Sequence, residues 1–206
     1  MNDDDEATRW ENVYGEGDVE SLPWFYPGLD PDFGESLKRQ GINGGEMLDL
    51  CTGPGTQAIA MAKLGYSVNA VDISATAIRK AKARESGLGL EIDFRQANIL
   101  TSDLAGDPAW RFDIVFDRGC YHVFPDEKRV EYVPAVGQLI KTEGWLFLKC
   151  FSNKEKRPEG PYRIAPDEIR VNFEELFEVV SINETVFQGI QHSPLPRALI
   201  CVMRRR

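Results

Sequence analysis

No apolar run in this sequence approaches the roughly 20 residues that span a bilayer, and the acidic N-terminus contains no apolar signal region. Positive charge is scarce as well, because 24 Lys and Arg residues stand against 33 Asp and Glu residues, for a formal net charge of −9. A chain this acidic binds phosphate backbones poorly, so nucleic acid and membranes are not expected partners. We expect a cytoplasmic protein, as a monomer or a homodimer.

Cysteines are few and widely spaced. The four are Cys51, Cys120, Cys150 and Cys201, and no two of them form a C-x-x-C pair. We therefore expect neither a metal site nor a disulfide framework. Cys150 and Cys201 lie in apolar runs and are predicted to be core residues. With 206 residues, 42% of them hydrophobic, the chain is long enough for one domain with a sizeable core.

The most informative stretch is a glycine turn between two apolar segments. Met47–Leu50 predicts a buried strand, the residues CTGPG follow, and a helical pattern begins after Gly55. Such a unit opens a nucleotide-binding α/β sheet, in which Gly53 and Gly55 let the backbone approach a ligand. The turn also fits the dinucleotide pattern G-x-G-x-x-A. Asp49 favours another ligand, because a carboxylate there repels pyrophosphate but suits the amino group and sulfonium of S-adenosylmethionine.

Polar side chains follow the next two predicted strands. Ser67–Asp72 is largely apolar before it ends at Asp72, whose carboxylate is placed to accept hydrogen bonds from ribose hydroxyls. The alternation over residues 90–95 predicts a half-exposed edge strand. Asn98 and Ile99 follow that strand, and we expect them to hold adenine by an amide and by apolar contact.

A second polar cluster follows the predicted fourth strand, residues 112–116. One short segment at the strand end contains Asp117, Cys120, Tyr121 and His122. Clustering at the end of a strand is typical of a functional site. We expect Asp117 and His122 to be the candidate bases. We expect Cys120, Tyr121 and His122 to line the acceptor site.

The N-terminal region is rich in aromatic residues and shows no clear period. We expect residues 1–8 to be disordered. The aromatic residues that follow include Trp10, Tyr14, Trp24 and Phe25. Two interpretations stay open: the segment packs on the core through these rings, or it is a lid over a ligand, since aromatic faces suit a sulfonium. The long polar loop over residues 152–166, which contains Arg163, also indicates function.

Two consecutive strands at the C-terminus predict an antiparallel hairpin, and the whole order of segments resembles the class I S-adenosylmethionine-dependent methyltransferases. The stretch VFDRGCYHVFP, the later WLFLKCFS and the aromatic segment ending in Pro23-Trp24 resemble the thiopurine methyltransferase-like group. The glycine turn departs from the usual D-x-G-x-G-x-G, because Cys51 replaces the first glycine and Pro54 lies within it.

The resemblance implies an α/β fold, a Rossmann-like three-layer sandwich with a seven-stranded, mostly parallel sheet in the order 3-2-1-4-5-7-6 and strand 7 antiparallel. We expect a single methyltransferase domain over residues 1–206, with an aromatic-rich N-terminal lid segment over 1–31 and the core sheet and helices over 41–206. S-adenosylmethionine is the implied cofactor and S-adenosylhomocysteine the product.

Residue patterns and resemblance together give two sets of candidate site residues. The cofactor-binding candidates are Trp10, Asp49, Leu50, Cys51, Gly53, Gly55, Asp72, Ile73, Asn98, Ile99, Asp117 and Arg118. The substrate-binding candidates are Tyr14, Trp24, Phe25, Cys120, Tyr121, His122 and Arg163.

We expect methyl transfer to a small nucleophile, such as a thiol, a thiopurine, a halide or a metalloid. Transfer to an oxygen or nitrogen of a metabolite would use His122 or Asp117 as the base. An NAD-linked oxidoreductase is disfavoured by the final strand pair and by the lack of a second catalytic domain. A protein that binds S-adenosylmethionine without chemistry is the alternative of another class, and turnover separates the two.

Overall fold

The computed structural model describes residues 3–101, 103–107, 110–189 and 193–206. Seven strands form one sheet: β1 (Glu46–Leu50), β2 (Ser67–Asp72), β3 (Ile92–Gln96), β4 (Phe112–Arg118), β5 (Ile140–Phe151), β6 (Phe177–Val186) and β7 (Arg197–Arg205). Their order is β3-β2-β1-β4-β5-β7-β6. β7 runs antiparallel to both neighbours, and the other pairs are parallel. The expected topology is confirmed, including β3 at an edge.

Helices cover both faces of this sheet and make three layers. They are α1 (Asp3–Gly15), α2 (Pro31–Arg39), α3 (Thr56–Lys63), α4 (Ala75–Glu85), α5 (Asp126–Gln138) and α6 (Pro166–Phe173). Successive side chains of a strand point to opposite faces. In β1, Met47 therefore packs in the cluster with α2, α3 and α4, whereas Leu48 packs in the cluster with α5 and α6. Of the helices in the described ranges, none is long and apolar enough to cross a membrane.

The N-terminal region differs from its prediction. The expectation of disorder over residues 1–8 is wrong from Asp3 onward, because α1 begins there; residues 1 and 2 lie outside the described part of the chain. Tyr14, near the end of α1, is 4% exposed and packs with Val19 and Ala77 in a cluster apart from the two main ones. A helix fixed by so few apolar contacts carries little periodicity, which is why the pattern did not indicate it.

The N-terminal strap, which we define as residues 3–30, is tied to the core along its length. Glu11 accepts hydrogen bonds from the Ser74 hydroxyl at 2.7 Å and from the Thr76 amide at 3.1 Å. Further along, the Gln57 side chain donates to the Gly28 carbonyl at 2.9 Å. The bond to Thr76 comes first among the causes that lower the pKa of Glu11 to about 2, so its carboxylate is charged at neutral pH.

Candidate functional site

A cleft of about 1010 Å³ opens at the carboxyl ends of the central strands. The candidates that line it are Trp10, Tyr14, Trp24, Cys51, Asp72, Ile73, Asn98, Ile99, Arg118, Cys120, His122 and Arg163. A small chamber of about 40 Å³ shares Tyr14, Trp24, Cys51 and Arg118 with the cleft and is also lined by Phe25, Asp49, Leu50 and Gly53. The structure thus brings most of the candidates, from segments far apart in the sequence, to one edge of the sheet.

The glycine turn after β1 requires its glycines for space. Gly53 and Gly55 have φ angles of 52° and 77°. A Cβ at Gly55 would lie 2.9 Å from the Ala81 Cβ and 3.1 Å from the Phe94 ring, and one at Gly53 would lie 2.6 Å from the Tyr14 hydroxyl. Real Cβ atoms essentially never come within 3.0 Å of another atom, so the contacts at 2.9 Å and 2.6 Å exclude a side chain at both positions. Gly55 therefore allows the turn to pack on α4 and β3, and Gly53 allows the strap to close over the turn.

Asp49 is 2% exposed, and one of its carboxylate oxygens is hydrogen-bonded to the turn. One carboxylate oxygen accepts bonds from the Thr52 hydroxyl at 2.6 Å and from the Ala58 amide at 3.2 Å. Burial raises the pKa of this carboxyl to about 7. Asp49 thus stabilises the start of α3 and faces the small chamber rather than the main cleft.

Asp72 lines the cleft at the end of β2. Its two oxygens accept the amides of Gly53 at 2.8 Å and Ser74 at 2.9 Å. Burial raises its pKa to about 6, so the group is mostly ionised at neutral pH. Ser74 caps α4 itself, since its hydroxyl oxygen accepts the Ala77 amide at 3.0 Å. Asp72 therefore links the glycine turn to β2, and its carboxylate stays at the surface of the cleft.

The segment after β3 completes this end of the cleft. The Asn98 side-chain oxygen accepts the Leu100 amide at 3.0 Å, which leaves its amide nitrogen for another acceptor. Ile99 is 8% exposed and Ile73 lies beside it on the cleft. The arrangement offers one amide donor against an apolar surface.

Asp117 and Tyr121 lie beneath the surface of the cleft. Asp117 is fully buried, and its oxygens accept the Cys120 amide at 2.6 Å, the Tyr121 amide at 2.8 Å and the Tyr132 hydroxyl at 2.5 Å. Burial raises its pKa to about 6. Tyr121 is also fully buried, with its hydroxyl accepting from Asn172 at 2.8 Å. These residues shape the loop after β4 from below, and neither lines the cleft.

His122 lines the cleft as a neutral ring. Its Nδ1 accepts the Phe151 amide at 2.8 Å, so the proton of the neutral ring is on Nε2. Burial, followed by the charges of Arg118 and Arg163, lowers its pKa to about 3. In this tautomer Nε2 donates and cannot accept a proton. Among the described residues there is no group of three or more His, Cys, Asp or Glu that could hold a metal ion.

Cys51 and Cys120 form a disulfide, with 5.6 Å between their Cα atoms. The expectation of no disulfide is wrong for this pair, because β1 and β4 are neighbours and register Leu50 opposite Asp117. Both cysteines lie just beyond that pair and both line the cleft. Cys150 and Cys201 are buried free thiols, as expected.

The strap contributes three stacked or crossed rings. Trp10 stacks on Tyr14 with 6.1 Å between ring centroids, and crosses Trp24 at an interplanar angle of 79°. Burial raises the pKa of Tyr14, so its hydroxyl is protonated. Phe25, 5% exposed, lines only the small chamber. Both interpretations of this segment thus have support, because some rings pack inward and others line the cleft.

One part of the cleft, which we call the acceptor side, is lined by His122, Phe124, Phe151, Tyr162 and Phe187. Sequence reasoning predicted His122 at this place but missed the four aromatic residues around it. His122 stacks on Phe187 at 5.6 Å and meets Phe151 edge-on at 5.1 Å. Arg163 lies 5.6 Å from the Phe151 ring and donates to backbone carbonyls of its own loop, including Glu159 at 2.7 Å. Phe151 and Phe187 fall at the ends of predicted strands, and this position could have indicated that they belong to the site.

The chain is similar to known methyltransferases in sequence and in fold. The family model described as a methyltransferase domain matches residues 47–144. An uncharacterized methyltransferase of Schizosaccharomyces pombe is 30% identical over 111 residues, which cover 53% of this chain and 74% of that protein. A thiopurine S-methyltransferase of Vibrio parahaemolyticus is 27% identical over 158 residues, which cover 72% of this chain and 71% of that one. A solved S-adenosylmethionine-dependent methyltransferase from Anabaena variabilis has a TM-score of 0.81 and 20% identity, with 100% of this chain and 96% of that chain covered.

Proposed function

Because the chain belongs to the methyltransferase-domain family, whose cofactor is S-adenosylmethionine, we propose that it methylates a small, soft nucleophile that arrives already ionised, such as a thiolate. One observation carries the proposal. The Asp117 oxygens and the His122 Nδ1, in the two residues predicted as bases, already accept hydrogen bonds from within the protein. An acceptor that is already an anion needs neither of them.

The lining of the cleft offers groups that suit each part of S-adenosylmethionine. Asp72 suits ribose hydroxyls, and Asn98 with Ile99 suits a flat base that has one polar edge. The faces of Trp10 and Tyr14, which pack near the start of α4, suit a sulfonium through cation–π attraction. The volume of about 1010 Å³ lies at the upper end for ligand sites, which leaves room for an acceptor beside the cofactor.

The acceptor side favours a compact or flat anion. Its aromatic rings offer apolar contact, while Arg118 lies 4.6 Å from the Phe187 ring and Arg163 lies 5.6 Å from the Phe151 ring. The charge of Arg118 is paired with Asp30, whereas Arg163 donates to backbone carbonyls and supplies a positive potential without a base. A donor from His122 Nε2 would orient the acceptor atom or its neighbour. A small anionic thiol meets each of these conditions.

When bound, S-adenosylmethionine supplies an electrophilic methyl group on a positively charged sulfur. The chain's contribution is orientation, which in favourable cases is equivalent to roughly 10⁵ M or more of effective concentration. The strap excludes water from one side, and the rings of the acceptor side exclude it from the other.

The alternatives differ in what they require of the protein. Methylation of an oxygen or nitrogen would need a base in place of Asp117 and His122. A sensor of S-adenosylmethionine would bind it and release it unchanged. A cytoplasmic location and a small-molecule acceptor remain part of the proposal.

A graded series of aromatic thiols tests the proposal. We expect S-adenosylhomocysteine to form fastest with thiols, and the rate at fixed pH to rise with the fraction of thiolate, with phenols and amines of similar shape as matched controls. His122→Gln should keep this dependence. Faster reaction with phenols or amines would contradict the soft-nucleophile assignment, and binding without product across thiols, thiopurines, halides, tellurite and selenite would favour the sensor.

A further inference from the structure

We propose that Arg118 and Lys149 are positioning residues that clasp the N-terminal strap to the segment after β6, and thereby fix the acceptor side of the cleft. This inference rests on the proposed methyl transfer. Each of the three guanidinium nitrogens of Arg118 donates to the protein: Nε to Asp30 at 2.8 Å, Nη1 to the Trp24 carbonyl at 3.0 Å and Nη2 to the Gln188 carbonyl at 2.5 Å. One side chain thus joins two segments that face each other across the sheet edge.

Lys149 holds the same strap from below. It is fully buried in β5, and its ammonium donates to Asp30 at 2.7 Å and to Asp32 at 2.5 Å. Asp32 in turn accepts the Thr185 hydroxyl of β6 at 2.8 Å. The cluster contains two cations and two carboxylates. Stability alone does not require it, because well-packed apolar residues often serve as well in place of buried ion pairs. Its geometry instead fixes where the strap ends against β5 and β6.

The two clasped segments also touch directly. A Cβ built at Gly189 would lie 2.2 Å from the Pro23 carbonyl oxygen and 3.7 Å from the Trp24 Cα. Phe187 and Trp24 both line the cleft, and each is within two residues of this contact. Any opening of the contact therefore moves a ring that the acceptor would meet.

The cofactor side has an additional anchor, to which the clasp residues do not contribute. α1 is tied to α4 by Glu11, which bonds Ser74 and Thr76 and none of the clasp residues. Loosening the clasp should consequently affect the acceptor more than the cofactor. Loss of a residue needed only for folding would weaken cofactor binding and turnover of the acceptor alike.

Gly189→Ala tests the contact without altering a charge, and Gly44→Ala is the matched control because nothing lies within 4 Å of its built Cβ. With S-adenosylhomocysteine bound, we expect the Phe25 amide, which donates to Leu22, to exchange hydrogen about tenfold faster or more in Gly189→Ala. The Ala77 amide at the start of α4 should be unchanged. The Kd of S-adenosylhomocysteine should change by less than about threefold, while kcat/KM for thiophenol falls about tenfold or more.

A second variant keeps the cluster neutral. Lys149→Met with Asp32→Asn removes one cation and one carboxylate, and we expect the same division of effects in a folded protein. Unchanged exchange at Phe25 in both variants, or loss of S-adenosylhomocysteine binding equal to the loss of turnover, would overturn the clasp. A wild-type protein that does not turn over thiophenol or other thiols would instead count against the proposed function, and the exchange result would still decide the clasp.

Discussion

Among the site residues, we expect the charge of Asp72 to contribute most to the affinity for the cofactor. Its carboxylate already orders the Gly53 and Ser74 amides, so it is held in one orientation at the cleft. Asp72→Asn retains the size but loses the charge. We expect the affinity for S-adenosylhomocysteine to fall by about 1.5–3 kcal/mol, the usual worth of a hydrogen bond to a charged group. Titration calorimetry measures it, with the exposed Asp93→Asn as control. Equal affinities in the two variants would remove Asp72 from the ribose site.

His122 should leave a signature in the pH dependence of stability. Its pKa is about 3 when folded and about 6.5 otherwise, so between these values the unfolded chain binds the extra proton. Its contribution is complete above pH 6.5 and is lost as pH falls toward 3. Asp49, Asp72 and Asp117 shift in the opposite sense, so the wild-type curve alone mixes these effects.

The variant His122→Gln, which keeps an acceptor for the Phe151 amide, isolates the histidine. We expect its stability deficit relative to wild type to shrink as pH is lowered below 6.5, measured by urea unfolding. A deficit that is constant with pH would show that the ring titrates normally in the folded state.

Residues at strand ends were predictable from sequence because a parallel sheet brings those ends together. Asp72 and His122 were found in this way. To predict the Cys51–Cys120 contact, the adjacency of β1 and β4 in the sheet would also have had to be considered. Lys149 carried a signal that was overlooked, since it is a single cation within an apolar strand and buried charges are paired.

At the scale of elements, the Glu11 carboxylate ties α1 to the start of α4. Glu11 accepts from the Ser74 hydroxyl and from both the amide and the hydroxyl of Thr76 at the start of α4. We expect Glu11→Ala to lower the unfolding free energy by about 0.5–2 kcal/mol, as for loss of a helix cap, and to weaken cofactor binding because α1 carries Trp10. Thermal unfolding and calorimetry measure the two effects. The exposed Glu16→Ala should change neither, and equal behaviour of both variants would mean that α1 is held by its rings alone.

The sheet strands were predictable because apolar runs and period-two alternation are local signals. α1 was not, because its stability comes from contacts with α4 rather than from an apolar stripe of its own. α5 shows an intermediate case. Its apolar pattern extends to Thr142, but Pro134 lies within it and the helix ends at Gln138, just before β5 begins.

For the whole molecule, the disulfide joins segments 69 positions apart. Closing a loop of that size restricts the unfolded chain, so we expect reduction to lower the unfolding free energy by about 2–4 kcal/mol. Thiol titration of the denatured protein should find two free thiols, Cys150 and Cys201, without reductant and four with it. Cys51→Ser should match the reduced protein in stability. Four thiols in the oxidised protein would contradict the pairing.

The position of Tyr14 above the glycine turn has a consequence for the order of events in a catalytic cycle. Its hydroxyl would meet any Cβ at Gly53, so the strap leaves little space above the turn, whereas the acceptor side lies at other segments of the cleft. We expect a ligand at the turn to bind before the acceptor and to leave after the methylated product. We expect a compulsory-order reaction, in which S-adenosylhomocysteine inhibits competitively against S-adenosylmethionine and noncompetitively against the acceptor. Steady-state product inhibition distinguishes this pattern from random binding, in which neither substrate waits for the other.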